Sequence, residues 1–301
     1  MIQQYHNYPF YLPFTFAAAA EGTVNQDTIQ VPFNMAVYGI TVSTSVSIET
    51  GFYNYTLEFL NYTDGSKLFD EPIQGFNIQT DCRTYWPLPS KWFLKKSDKI
   101  VCNLNPFDAT FSSAIDTVTY YVTLLCHLTD VDPNPGLQPF VYSFRGAVGW
   151  QDIVEAGGST SVPITQGLTA TVAKEALHDF DLHSIVLDAW TEESVFDHLP
   201  TLSFQVTAAG KKLFDRMVIN GVAGGGNNYN QGNTALFGNT TTVGYPRDNN
   251  VQYFLPRTVR VPKGCLMRVD FAPAPTYIPS GSIHAALNQQ CCMALVGNHI
   301  G

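Results

Sequence analysis

The chain repeats itself. Thr56 to Ile73 reads TLEFLNYTDGSKLFDEPI and Thr201 to Val218 reads TLSFQVTAAGKKLFDRMV, and the two align without a gap at an offset of 145. Eight of these 18 positions are identical: Thr56/Thr201, Leu57/Leu202, Phe59/Phe204, Gly65/Gly210, Lys67/Lys212, Leu68/Leu213, Phe69/Phe214 and Asp70/Asp215. Unrelated segments of this length share about one or two. The same offset sets the apolar run Val37, Ile40, Val42 against Leu182, Ile185, Leu187. Further on, Leu88-Pro89 matches Leu255-Pro256, Lys96 matches Lys263 and Pro106 matches Pro273 at an offset of 167. The 22 residues by which the offsets differ fall within 221–246, a Gly/Asn/Thr-rich, loop-like stretch.

A duplicated unit folds once per copy. Pro9-Phe10 and Pro139-Phe140 open the two copies. The expected organisation is an N-terminal arm 1–8, a first domain 9–130, a linker 131–138, and a second domain 139–301 carrying the insertion 221–246. The Pro-rich junction DVDPNPG, 130–136, suits a semi-rigid hinge.

Each copy reads as all-β. Tyr55, Leu57 and Phe59 alternate with Thr56 and Glu58, the period of a half-buried strand. Asp64-Gly65 predicts a tight turn, after which Lys67 to Phe69 returns as the partner strand. Further runs of strand type are Thr28–Val31, Val37–Ile48, Lys99–Leu104 and Val118–Leu125. In the second copy they are Ser161–Ile164, Leu182–Ala189, Thr201–Thr207, Thr258–Val261, Leu266–Phe271 and Gln290–Val296. Helix signals are poor, with Val172 to His178 good for a turn or two. Seven or eight short strands per copy indicate two tandem β-sandwich domains. Periodicity does not separate a jelly roll from an immunoglobulin-like sandwich. No convincing pair of cysteines flanks a tryptophan, so the jelly roll is the expected topology.

Composition bounds the partners. Charged residues make up 14 % of the chain, against about 25 % in an average soluble domain. A chain with so little charge is poorly equipped to keep a free surface solvated, which points to an assembly. The net charge is −9, without the basic excess that nucleic acid or an anionic membrane would require. The cluster Lys91, Lys95, Lys96, Lys99 reads as a solvated loop or strand face. No stretch approaches the roughly 20 apolar residues of a membrane span, and Met1 to Phe10 has no features of a secretion signal. The six cysteines contain no CxxC pair, and buried free thiols are expected.

Enzymatic constellations fail. Gly224-Gly225-Gly226 is not followed by the Lys-Ser/Thr of a phosphate loop, and there is no GxSxG, HExxH or HxH. Cys126 and His127 are neighbours in a strand and so point to opposite faces. The recurring Asp70 and Asp215 read as strand-end caps. No catalytic residue, metal site or cofactor is expected.

Trp86, Trp92, Trp150, Trp190 and the many tyrosines suit core packing first, a subunit interface second and a sugar-stacking surface third. The aromatic start of the chain, with Tyr5, Tyr8, Phe10, Tyr11 and Phe14, is expected to pack on a neighbour or second domain, or to be a strand of its own sandwich. Asn227, Asn228, Tyr229 and Asn230 in the long loop complete the candidate interface residues.

The repeated pattern runs from the Phe-containing strand and Gly-Lys-Leu-Phe-Asp to Leu-Pro. It ends in Val259-Arg260-Val261-Pro262-Lys263-Gly264, followed by the apolar strand 266–271. It resembles the β-sandwich virion proteins of double-stranded DNA bacteriophages. Copy one departs from it at Lys95-Lys96-Ser97, where a different turn is expected. The resemblance implies a jelly-roll building block of a virus particle, assembled in the host cytoplasm. It would act as a dimer or trimer with other capsid proteins, without direct contact to nucleic acid. The main reading is a capsid-associated decoration, cement or minor capsid protein. The alternatives are a double-jelly-roll major capsid protein and a glycan-binding module of a phage tail or fibre.

Overall fold

A computed structural model describes residues 9–17, 23–45, 55–74, 85–106, 119–150, 162–164, 167–168, 170–191, 202–213, 217–219, 253–273, 276–278 and 287–301. Eight strands build the first sandwich: β1 (Pro9–Phe16), β2 (Asn25–Gln30), β3 (Met35–Thr44), β4 (Tyr55–Asn61), β5 (Ile73–Gln74), β6 (Trp86–Leu94), β7 (Lys99–Pro106) and β8 (Tyr120–Leu128). They form two antiparallel sheets ordered β1-β8-β3-β6 and β2-β7-β4-β5. Strand β1 pairs with β8, β2 with β7, β3 with β6 and β4 with β5. This nesting is one long hairpin wound around a core, and it is a jelly roll, not an immunoglobulin-like sandwich.

The second sandwich begins with β9 (Leu137–Trp150), β10 (Val162–Ile164), β11 (Gly167–Leu168), β12 (Ala170–Glu175), β13 (Asp179–Thr191) and β14 (Leu202–Ala208). It continues with β15 (Lys211–Lys212), β16 (Met217–Ile219), β17 (Tyr253–Val261), β18 (Leu266–Pro273), β19 (Thr276–Ile278) and β20 (Leu287–Ile300). Its sheets run β11-β9-β20-β13-β17 and β12-β18-β14-β15, with β16 also on β14 and a small β10-β19 pair beside them. The nesting recurs: β9 with β20, β12 with β18, β13 with β17 and β14 with β15.

The copies agree down to their irregularities. A bulge interrupts β3 between Val37 and Gly39, and another interrupts β13 between Leu182 and Ser184, at the 145 offset. Across the bulge, Ile40 pairs with Trp86 and Ile185 with Tyr253, partners 167 residues apart. One element slides. Phe59 pairs with Cys102, whereas Phe204 pairs with Phe271, the counterpart of Leu104. The ungapped sequence match therefore hides a two-residue shift of β14, which keeps the same face inward because side chains alternate with period two.

Three local expectations are corrected. Over 172–175 the helical turn expected for 172–178 is instead strand β12, held by β18. Val172 packs on the core, and pairing overrides the helix preference of Ala, Lys and Glu. The return strand expected at Lys67 to Phe69 pairs its main chain with β4 only at the Leu60–Lys67 bridge, and Phe69 pairs elsewhere. The differing turn expected at Lys95-Lys96-Ser97 is the same turn: Ser97 has φ 74° and its counterpart Gly264 has φ 79°. Asp98, buried beneath it, accepts from Lys95 N–H (2.8 Å) and Asn61 Nδ2–H (3.0 Å). A left-handed serine costs what glycine does not. Ser97→Gly should raise stability by about 0.5–1 kcal/mol and Gly264→Ser lower it comparably, read as shifts of the urea midpoint.

Candidate assembly interface

Among the described residues, the most extensive contact surface is the seam between the two sandwiches. In the second sandwich, Phe140, Tyr142, Phe144, Leu182, Ile185, Met293 and Leu295 face their own core. The alternate residues Val141, Val186, Ala294 and Val296 are buried too, in the cluster that forms the core of the first sandwich. Strands covered on both sides read as nearly unbroken apolar runs, as Phe140–Phe144 (interrupted only by Ser143) and Met293–Val296 do.

The edge of β9 is closed by the segment that leaves β4. Val141 N–H donates to Leu68 O (2.9 Å) and Asp70 N–H donates to Val141 O (3.1 Å), a one-residue parallel pairing of Phe69 with Val141. Gln138 Nε2–H donates to Lys67 O at 3.0 Å. Phe69 is fully buried, 6.1 Å from the Phe59 ring and 6.3 Å from Trp86. Asp70 Oδ1 accepts from Ser143 N–H (2.9 Å), while Lys174 Nζ lies 2.5 Å from Asp70 Oδ2 and 2.8 Å from Glu71 Oε1. Burial raises the Asp70 carboxyl above its ordinary value, and the hydrogen bond and charge of Lys174 oppose this without cancelling it. The recurring Leu-Phe-Asp is thus an interdomain latch in copy one, and Phe214 and Asp215 lie outside the described residues.

The second feature is the outer face of β1, β8 and β3. Tyr11 is 52 % exposed, and Tyr85 and Tyr121 are each 43 % exposed. Tyr38 meets Tyr85 edge-on with ring centres 5.2 Å apart and stacks on His127 at 4.5 Å. Gly39 makes room for this group, since a Cβ there would collide with the Tyr85 ring. The three strands contain no Asp, Glu, Asn or Gln.

Of the residues expected at an interface, Tyr11 is on this face. Phe10 packs edge-on against Phe33 at 6.1 Å, next to the first core. Phe14 is core, so the aromatic start of the chain, from Pro9 on, is a strand of its own sandwich. Tyr5, Tyr8, Asn227, Asn228, Tyr229 and Asn230 lie outside the described residues, as does the whole of the long loop 221–246. Tyr38, Tyr85, Tyr121 and the seam were missed. Their signals were the absence of charge in three strands and the nearly unbroken apolar runs in β9 and β20.

Chemistry is sparse. Cys126 faces the core and burial pushes its thiol up to about 12, the reverse of an activated nucleophile. Cys102 is likewise buried, and Cys265 is half-buried. Among the described residues no group of three His, Cys, Asp or Glu side chains could hold a metal. No helix among them is long and apolar enough to cross a membrane.

No family model matches the chain, and no curated protein matches it either. Among solved structures it is similar to the major capsid protein P2 from Bacteriophage PM2, with 9 % identity and a TM-score of 0.44 over 97 % of this chain and 98 % of that one. It is also similar to a chain of Sulfolobus Turreted Icosahedral Virus, with 10 % identity and a TM-score of 0.46 over 97 % and 90 %. A third likeness is to a peptide-N(4)-(N-acetyl-β-D-glucosaminyl) asparagine amidase, with 8 % identity and a TM-score of 0.37 over 96 % and 98 %.

One buried histidine ties stability to pH. His299 stacks on Phe140 at 3.9 Å, and its Nε2 lies 3.0 Å from Tyr142 Oη. Tyr142 Oη accepts from Leu177 N–H, so its own proton is available to a neutral imidazole. Burial, then the His178 ring, holds His299 down at about 4. A folded value below the unfolded one means stability present above pH 6.5 and lost as pH falls towards about 4. Urea midpoints should fall across that window, and His299→Gln should flatten the fall.

The seam gives its own expectation. Lys174→Met leaves Asp70 buried beside Glu71 without a cation and should cost about 2–3 kcal/mol at pH 7. Part of that should return on acidification as Asp70 takes up a proton. Asp70→Asn should cost less, and the double variant less than the sum of the two, by urea unfolding.

Proposed function

We propose that this chain is a structural protein of a virus particle, a double-jelly-roll shell subunit acting through protein–protein interfaces. The observation that carries the reading is the seam. Two sandwiches of one fold are joined by strand pairing, a shared apolar core and an ion pair across the junction, which makes a two-domain tile of fixed internal geometry. A tile of this kind needs broad contact faces and little free surface, in keeping with 14 % charged residues.

The shell subunit is favoured over a decoration protein because the seam is already a docking mode between two like domains, and repeating it between chains builds a sheet or shell. A decoration protein needs only one surface matched to a preformed shell. The glycan-binding reading finds less support, since the aromatic face lies on strands without the carboxylate and amide side chains that orient sugar hydroxyls. Partners are other copies of the chain and other capsid proteins, and the location is the virion.

The test is electron microscopy of the purified full chain across a concentration series. Closed shells or flat hexagonal arrays are the expected result. A discrete species that binds only to preformed shells would return the chain to decoration.

A further inference from the structure

The ion pair at the seam stands apart from the others. Among the ion pairs of the described residues, Lys174–Asp70 is the one with both side chains shielded, 17 % and 10 % exposed. Each of the others leaves one partner exposed. Lys174 holds an inward position of β12, two residues after core-packed Val172 and two before buried Ala176. By register its counterpart in copy one is Ile29, since Lys174 pairs with Met267 and Ile29 with Ile100. Ile29 packs on the first core, as an inward strand position ordinarily does. Glu71 has Arg216 as its counterpart in copy two. The seam therefore gathers an amine and two carboxyls from positions where the other copy has an isoleucine and an arginine.

We propose that Lys174 and Asp70 condense to an amide, a covalent cross-link between the two sandwiches made by the folded chain itself. The groups this reaction needs converge there. Lys174 Nζ, the nucleophile, lies 2.5 Å from Asp70 Oδ2. Ser143 N–H donates to Asp70 Oδ1 at 2.9 Å, placed to stabilise the charge that collects on that oxygen when Cγ is attacked. Glu71 Oε1, 2.8 Å from Nζ, is within reach of its protons. The Phe144 ring covers the amine at 5.7 Å.

Proton transfer within the ion pair turns ammonium and carboxylate into amine and carboxylic acid. Nζ then attacks Cγ and the C–N bond forms. Glu71 takes a second proton from Nζ and passes it to Oδ2, which already carries the first. The Cγ–Oδ2 bond breaks and that oxygen leaves as water. The nitrogen keeps one hydrogen, Glu71 ends as the carboxylate it began as, and nothing is oxidised or reduced.

In bulk water the reaction stalls, because both ions are well solvated and a carboxylate is a poor electrophile. At the seam, burial raises the Asp70 carboxyl above its ordinary value, which favours the acid form that the attack needs. The amide is neutral, so closure also removes the desolvation cost of a shielded ion pair. Groups held in contact by a fold react as if at effective concentrations of about 10⁵ M or more. The bond joins residues 104 apart, and a cross-link over so long a loop restricts the unfolded chain strongly. Chain that has not closed keeps the ion pair.

Intact-mass measurement and peptide mapping of the full chain, incubated folded near neutral pH and then denatured and reduced, test this. The wild-type chain should weigh one water less than its sequence. Trypsin should leave Lys174 uncut and release 68–83 joined to 146–211, branched at Asp70 and Lys174. Lys174→Met and Asp70→Ala should keep the full mass. Glu71→Gln, on an exposed side chain, should fold and close about a hundredfold more slowly. A wild-type chain of full mass, giving separate 68–83 and 146–174 peptides, overturns the cross-link. So does a loss of water that persists in Lys174→Met. Closure of Glu71→Gln at the wild-type rate overturns the part given to Glu71. The wild-type map decides by itself if a variant misfolds. The cross-link is read on single chains and does not rest on the shell reading, which microscopy decides separately.

Discussion

The edge of β9 needs main-chain partners, and Leu68 and Asp70 of the other sandwich supply them. An uncovered strand edge is a liability that folded proteins must cover, bend or guard. Covering it with a segment of the neighbouring domain commits that segment, and with it the position of the domain. Phe69 is then carried under Trp86 and against β9, and the outer faces of β9, β13 and β20 become interior at Val141, Val186, Ala294 and Val296. The coupling of the two jelly rolls, their shared core and the nearly unbroken apolar runs of β9 and β20 all follow from that one crossing.

Three polar clusters are buried at the junctions of the fold, and their members bind one another there. Asp70 binds Ser143 and Lys174 where the sandwiches meet. Asp98 joins the β6–β7 turn to Asn61 at the end of β4. His299 and Tyr142 join β20 to β9 beside the turn at Leu177. Interactions of this kind add little net stability, because the partners were solvated before folding. They do select one arrangement, since any other leaves a buried charge or imidazole unpaired.

How much was legible in the chain follows a physical rule. The duplication was visible because Gly65 and Gly210 both occupy left-handed turns, φ 76° and 73°, and because apolar residues such as Val37/Leu182 and Ile40/Ile185 repeat at buried positions of one fold. Strand β12 was misread because Ala, Lys and Glu prefer helix until a partner strand claims their main chain. The turn at Ser97 was misread because a strained serine leaves no mark that a glycine would. The role of Leu-Phe-Asp was invisible for a different reason. Its partner, Val141, is 72 residues away from Phe69, and no local preference encodes a pairing across domains. Tyr11 was marked as aromatic and surplus, but only the register of β1 on β8 set it on an outer face beside Tyr38 and Tyr85.

By itself the sequence determined the all-β class, two copies of one sandwich and the absence of familiar catalytic motifs. These depend on short-range alternation, turn chemistry and composition, all of which act over a few residues or as sums over the chain. Tertiary structure alone decided the jelly-roll nesting, the two-residue slide of β14, the seam and the exposed aromatic face. Each of these is a choice among pairings that local patterns leave nearly equal in energy, and burial of distant side chains against one another makes the choice.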